Sequence, residues 1–276
     1  MKKSFKSRIG IVLLALMVFL LLGLVFWFQK RPSASKLILS SPKSTPYPKV
    51  EKFDVPILMY HYIRVAPEND QLGTNLSVSP ENFASQMKYL HDDNYSTLKL
   101  ADLADPNLFE ISKIYYLKKK PIVITFDDGY DNAYTEAFPV LKQNGLIGTF
   151  FIIKDYTGRD GRLNDTQINE MAKAGMEFGS HTLTHPDLTK ISSEDAQNQI
   201  FNSKGDWLVF CYPSGRFNDA VVSLVREAGY KVAVTTKIGI AKETSNLLEL
   251  PRVRIENTNV QDFADKISYA YEHGSQ

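Results

Sequence analysis

From residue 55 to its end, the chain alternates between short apolar or β-branched runs and segments that carry helix start and stop signals. The runs fall at 55–60, 96–100, 122–126, 148–153, 177–181, 208–212, 231–235 and 249–255. Between them, Ser79-Pro80-Glu81 offers a cap and then a proline at the first helical position, opening a helix to about His91. Segments 132–144 and 165–174 close on Gly145 and Gly175, which suit a helix C-terminal cap, and 218–228 runs from Asn218 to a stop at Gly229. A last helix is predicted over 259–273. Strands alternating with helices of this length predict an α/β fold with a parallel sheet, and seven or eight such units predict a barrel. In such barrels chemistry sits at the carboxyl ends of the strands.

The first thirty residues obey a different rule. Lys2, Lys3, Lys6 and Arg8 precede an uncharged apolar stretch from Ile9 to Phe28. At ~1.5 Å per residue it spans roughly 30 Å, the hydrocarbon thickness of a bilayer. It ends in Phe26-Trp27-Phe28-Gln29-Lys30-Arg31, without the small-x-small pattern of a cleavage site. Residues 1–30 are therefore read as a basic cytoplasmic segment and an uncleaved transmembrane signal anchor. The basic flank stays inside, which makes the chain a single-pass plasma-membrane protein with its remainder extracellular. A cleaved signal is the competing reading. Residues 31–52, with Pro32, Pro42, Pro46 and Pro48 among serines and lysines, read as an extended spacer. Residues 53–276 are read as one folded domain.

Composition removes several function classes. Lys and Arg total 32 against 31 Asp and Glu, so the basic excess of a nucleic-acid binder is missing. Cys211 is the single cysteine, which excludes an intrachain disulfide and a multi-cysteine metal site. It is read as a packed core side chain.

The chemistry-bearing residues fall at predicted strand ends. The segment PIVITFDDGYDN is a buried strand ending in Asp127 and Asp128; Gly129 lets the chain turn so that both acids can face one pocket. Two carboxylates so close repel unless a cation sits beside them. The segment EFGSHTLTHPDL carries His181 and His185, spaced so that both imidazoles can reach one ion. Two histidines and one carboxylate make the three-ligand pattern of an open catalytic Zn²⁺ or similar divalent site, leaving the second acid as a general base. A DDG turn can equally be a solvated surface turn, and a histidine pair can be incidental. His61 follows the strand PILMY, Tyr212-Pro213-Ser214-Gly215 follows another, and LPRVRI offers Arg252 and Arg254 on one face. His91 and His273 sit on predicted helices, and Tyr130 and Tyr134 are read as core or ordinary surface.

In this order, TFDDG (Thr125 to Gly129) and HTLTH (His181 to His185) resemble the first two motifs of the polysaccharide deacetylases of carbohydrate esterase family four. The resemblance covers roughly residues 54–256. It implies a distorted (β/α) barrel of about seven parallel strands, with Asp127 as base and Asp128, His181 and His185 as ligands of one divalent metal. FCYPSG lacks the family's usual arginine, LPRVRI replaces the late motif with its acid histidine, and the segment between Ile191 and Leu208 is shorter than usual, which puts one barrel helix in doubt. The first two departures resemble the subgroup of biofilm poly-N-acetylglucosamine deacetylases. That likeness implies His61 as general acid, Arg252 orienting Asp127, and the backbone N–H of Tyr212 as oxyanion donor.

The resulting expectation is a monomeric, membrane-anchored extracellular deacetylase that removes N-acetyl groups from N-acetylglucosamine units of a surface or cell-wall polysaccharide. Its metal is Zn²⁺, with Co²⁺, Ni²⁺ and Fe²⁺ suited to the same ligands. The alternatives are an O-acetyl esterase on a polymer such as xylan and a catalytically silent glycan-binding protein.

Overall fold

A computed structural model of the chain describes residues 54–105 and 120–273. The predicted membrane anchor and the 31–52 spacer lie outside them; among the described residues no helix is long and apolar enough to cross a membrane.

Seven strands form the frame: β1 (Ile57–Tyr60), β2 (Lys120–Phe126), β3 (Thr149–Ile152), β4 (Glu177–Ser180), β5 (Val209–Cys211), β6 (Val232–Ile238) and β7 (Leu250–Arg254). Their order is β1-β7-β6-β5-β4-β3-β2, every pairing is parallel, and β2 pairs with β1 to close the ring. A short strand, Tyr95–Thr97, adds a parallel partner to the first residues of β2. The barrel is uneven. The β4–β5 ladder holds only Ser180 against Phe210, and the β6–β7 register shifts between Val234 and Ile238.

Each of the eight apolar runs contributes a strand, but 96–100 does so only at its start. The chain leaves extended conformation for a 3₁₀ turn at Leu100–Ala104, because the Glu177 carboxylate accepts the N–H groups of Leu100 (2.7 Å) and Ala101 (3.1 Å).

The outer layer holds α1 (Pro80–Asp92), α2 (Phe138–Gln143), α3 (Asp165–Lys173), α4 (Ser193–Phe201), α5 (Asp219–Glu227) and α6 (Val260–His273). Ser79, Asn164, Ser192 and Asn218 cap four of them through side-chain oxygens, satisfying N–H groups that a helix start leaves unpaired. The helix placed in doubt by the short 191–208 segment is present as α4. Ser192 starts it and Glu194 and Asp195 fill its first turn, where negative charge is favoured. Segment 132–144 opens with a π-helical turn at Ala133–Ala137 before α2; Pro139, with no N–H to donate back along the helix, lies at that junction.

Alternation along the strands separates two cores. Ile57, Val123, Phe151, Val209, Cys211, Val234 and Leu250 form an interior cluster, with Leu98, Leu100 and Leu103 packed into it. The alternate set, including Leu58, Tyr60, Ile124, Phe126, Phe150 and Ile152, packs with the helices. Gly179 occupies an interior position where a Cβ would come within 2.6 Å of Val209 Cγ2 and 2.8 Å of Phe151 Cδ1, so the site beyond it rests on a close backbone approach. Continuing the interior faces past the apolar layers reaches Thr125 on β2, Asp127 just after it, His181 after β4 and Arg252 on β7, all buried. Polarity begins at the carboxyl mouth.

Candidate active site

Strand register assembles the site. Tyr60 pairs with Phe126, so His61 and Asp127 emerge side by side, and the Asp127 N–H donates to Tyr60 O at 3.0 Å. Ile152 pairs with Ser180 and Ser180 with Phe210, which sets His181 beside Cys211. Consecutive strand residues would aim Asp127 and Asp128 apart. Left-handed backbone at Asp128 (φ 72°) and Gly129 (φ 66°) prevents this and brings both carboxylates to the mouth.

The His181–His185 loop is shaped the same way, with positive φ at Thr182 (67°) and His185 (62°). Gln199 of α4 holds it, accepting the N–H groups of Leu183 (3.1 Å) and Thr184 (3.0 Å) and donating to Thr184 Oγ1 (2.9 Å). Thr182 Oγ1 accepts the His185 N–H at 2.9 Å.

His181 Nε2 and His185 Nε2 lie 3.4 and 3.6 Å from one atom, Asp128 Oδ1. Those separations are long for hydrogen bonds. They approach the edge of a tetrahedron whose ligands stand about 2.0–2.1 Å from a central ion, roughly 3.3–3.4 Å. His181 Nδ1 lies 2.7 Å from Cys211 O; a proton donated there leaves Nε2 as the ring nitrogen able to ligate an ion. A second group, Asp127, His181 and Cys211, also lies close enough to share an ion. Its chemistry fits poorly, because Arg252 engages both Asp127 oxygens and burial pushes the Cys211 thiol up, disfavouring the thiolate. Asp128, His181 and His185 are the residues that fit a divalent cation.

Asp127 is held from beneath. Arg252 donates from Nη1 to Oδ1 and from Nη2 to Oδ2, both at 2.7 Å. The same guanidinium donates to Thr235 O (2.8 Å), Thr125 Oγ1 (3.0 Å) and Cys211 Sγ (3.4 Å), which uses every donor it has. Burial works against an ionised Asp127, but the Arg252 charge and its hydrogen bonds outweigh it and bring the carboxyl to about 2. Burial also opposes ionisation of Asp128, and the histidines beside it hold it below the usual carboxylate range. His61 Nε2 stands 3.7 Å from Asp127 Oδ2. Burial lowers the His61 pKa, against the pull of Asp127 and Asp128.

The structure corrects one expected role. The Tyr212 N–H donates to Val234 O (3.2 Å), continuing the β5–β6 ladder one residue past β5, and the Tyr212 hydroxyl donates to Leu248 O (3.0 Å). An N–H spent in a ladder is not available to an oxyanion. Cys211 is buried as expected, but among polar groups as well as apolar ones.

Two features of this mouth escape sequence reasoning. Arg162 Nη1 donates to the Asp128 carbonyl at 2.5 Å while its guanidinium lies 4.1 Å over the Tyr130 ring. Tyr62 stacks on Tyr130 at 3.5 Å, and Arg64 lies 3.6 Å over Tyr62. The column Arg64–Tyr62–Tyr130–Arg162 thus links the residue after His61 to the backbone of Asp128. No local pattern announces it, since its members come from three separate loops. The site opens into a cavity of about 530 Å³, whose lining includes His61, Asp127, Asp128, His181 and His185. That volume suits a small-molecule or sugar site.

A parallel barrel with two histidines and two carboxylates at its carboxyl mouth defines a hydrolase-type site, and comparison with known proteins gives the class. Residues 115–233 match the polysaccharide deacetylase family model. A Bacillus subtilis (strain 168) protein, YxkH, provisionally named a polysaccharide deacetylase, is 33% identical over 82% of this chain and 81% of its own. The Staphylococcus aureus (strain MRSA252) poly-β-1,6-N-acetyl-D-glucosamine N-deacetylase is 28% identical over 66% of this chain and 69% of its own. Among solved structures, the Streptococcus pyogenes deacetylase PplD in complex with acetate superposes with a TM-score of 0.68 at 30% identity, covering 78% of this chain and 98% of that one. The chain belongs to the polysaccharide deacetylase family.

Proposed function

We propose that this chain is a metal-dependent N-deacetylase that hydrolyses the acetamide of N-acetylglucosamine units in an extracellular glycan. The observation that carries the reading is the pairing of two unlike carboxylates. Asp128 shares its space with two imidazoles, while Asp127, next to it, is kept ionised by Arg252. Asp128, His181 and His185 would hold a divalent cation, which would supply Lewis acidity toward the acetyl carbonyl and the attacking water.

The chain's own groups do the rest. Asp127 takes the proton of the attacking water, and Arg252 fixes the direction in which its carboxylate points. His61 donates a proton to the leaving amine nitrogen; its burial makes the protonated ring a stronger acid. Developing negative charge on the former carbonyl oxygen is assigned to the backbone of Ser214, which lines the cavity at φ 55° where Tyr212 cannot serve. The name of the S. aureus relative supports a glucosamine polymer as substrate. Residues 1–30 hold the enzyme, as a monomer, on the outer face of the plasma membrane.

The test is mass spectrometry of β-1,4- and β-1,6-linked N-acetylglucosamine oligomers incubated with metal-loaded protein. Loss of one acetyl mass per event, with free acetate, is expected. Cleavage of O-acetylated xylan without any loss from the N-acetyl oligomers would replace this reading with an esterase.

A further inference from the structure

The site leaves two guanidinium groups on the cavity without an acidic partner among the described residues. Arg254 lies two residues beyond Arg252 on β7, so alternation sets it on the same interior face, one pleat nearer the mouth. It pairs in register with Met59, beside the strand end that carries His61, and it is half-buried on the cavity lining. No carboxylate of a described residue lies within ion-pair distance of it. Arg162 lines the same cavity and donates to a carbonyl, not to a carboxylate.

The acids on the lining are Asp127 and Asp128. Arg252 neutralises the first, and His181 and His185 lie against the second. Stacking over Tyr130 holds Arg162 in place without neutralising its charge, and among the described residues no ring lies over Arg254. Tyr130 has both ring faces covered, by Tyr62 and Arg162, and Tyr156 has Arg159 at 4.6 Å and Arg162 at 5.3 Å. Among the charged groups on the lining, Arg254 and Arg162 are the guanidiniums without an acidic partner among the described residues. A half-buried charge without a partner is costly, and an incoming anion relieves that cost through charge-assisted, bidentate hydrogen bonds.

We infer that Arg254, with Arg162, forms a receptor for an anionic substituent, a carboxylate or phosphate, carried by the glycan at or beside the sugar that loses its acetyl group. The inference rests on the deacetylase reading above and adds substrate selection to it. The same positive charge repels the ammonium product, which favours its release.

The test compares kcat/KM on three oligosaccharides of equal length. One is a neutral N-acetylglucosamine oligomer, one is a peptide-free oligomer alternating N-acetylglucosamine with its O-lactyl carboxylate derivative, and one is a 6-phosphorylated N-acetylglucosamine oligomer. At least one acidic oligomer should exceed the neutral one by roughly 10- to 100-fold, mostly through KM, and which one does identifies the anion. Amidating the carboxylate, or raising the salt, should shrink a carboxylate preference in the wild-type protein. Arg254→Gln should cut the acidic-to-neutral ratio to within about threefold of unity, with Arg254→Lys intermediate. Equal wild-type rates on all three would overturn the anion receptor and leave the deacetylase reading intact. A preference unaffected by Arg254→Gln would overturn it as well. Loss of no acetyl group from any oligomer would instead defeat the deacetylase reading on which it stands.

Discussion

Arg252 and Asp127 meet inside the barrel through two hydrogen bonds of 2.7 Å, guanidinium fork to carboxylate, with both side chains out of solvent. Each charge is tolerable there only because of the other. Arg252→Met leaves an uncompensated carboxylate and should destabilise the protein by about 3–5 kcal/mol in urea unfolding. The double variant Arg252→Met, Asp127→Asn should recover much of that loss, since neither charge then remains buried. A double variant no more stable than Arg252→Met would show that the fork is not what links these residues.

The same pair sets an acid limit. Asp127 titrates at about 2 in the folded protein, below the roughly 3.9 of an unfolded chain. A depressed folded pKa stabilises fully above the unfolded value and is lost as pH falls through the folded one. In metal-free protein, stability should therefore fall between about pH 4 and pH 2, and Asp127→Asn should flatten that part of the curve. An unchanged slope in the variant would remove Asp127 from the account of acid unfolding.

His61 stands at the end of β1 beside Asp127 but 3.7 Å from it, free of a close hydrogen bond to that carboxylate. If His61 protonates the leaving amine, His61→Ala should slow amide hydrolysis by ~10²–10⁴ and spare metal binding. An activated aryl acetate, whose leaving group needs little protonation, should be affected far less. Equal losses on both substrates would assign His61 another role.

The column ending at Arg162 predicts an effect at a distance from the ligands themselves. Arg162→Met removes the donor to the Asp128 carbonyl and the cation over Tyr130. Metal affinity, read by titration of folded protein, should weaken about 10- to 100-fold, the range found when groups orienting a ligand are removed. Arg162→Lys should restore part of it. Wild-type affinity in Arg162→Met would limit the column to packing.

Much of the frame was legible in the sequence, because buried parallel strands write themselves as short apolar runs and caps such as Asn164 and Asn218 act locally. The doubted helix could also have been found, since Ser192-Ser193-Glu194-Asp195 is a good start signal that segment length overrode. Strand ends were less legible. Glu177 decides where 96–100 stops being extended, and it lies far away in sequence. The ladder beyond β5 likewise takes the Tyr212 N–H, which no inspection of FCYPSG reveals. His181 and His185 were readable from spacing. The paired roles of Asp127 and Arg252 came through family resemblance, while Arg162, from a loop, and Gln199, from α4, reach the site only through tertiary packing. The left-handed turn at Asp128 was half legible, since Gly129 announced it and Asp128 did not.

The most direct measurement is metal content and acetate release on the same preparations of three proteins. The wild type should hold one divalent ion per chain and release acetate from N-acetylglucosamine oligomers. Asp127→Asn should hold the ion and lose turnover by orders of magnitude, because only proton abstraction is removed. His181→Ala should lose both, and added metal should not restore it fully. An Asp127→Asn protein without metal, or a His181→Ala protein that binds it as the wild type does, would contradict the division of labour between the two aspartates.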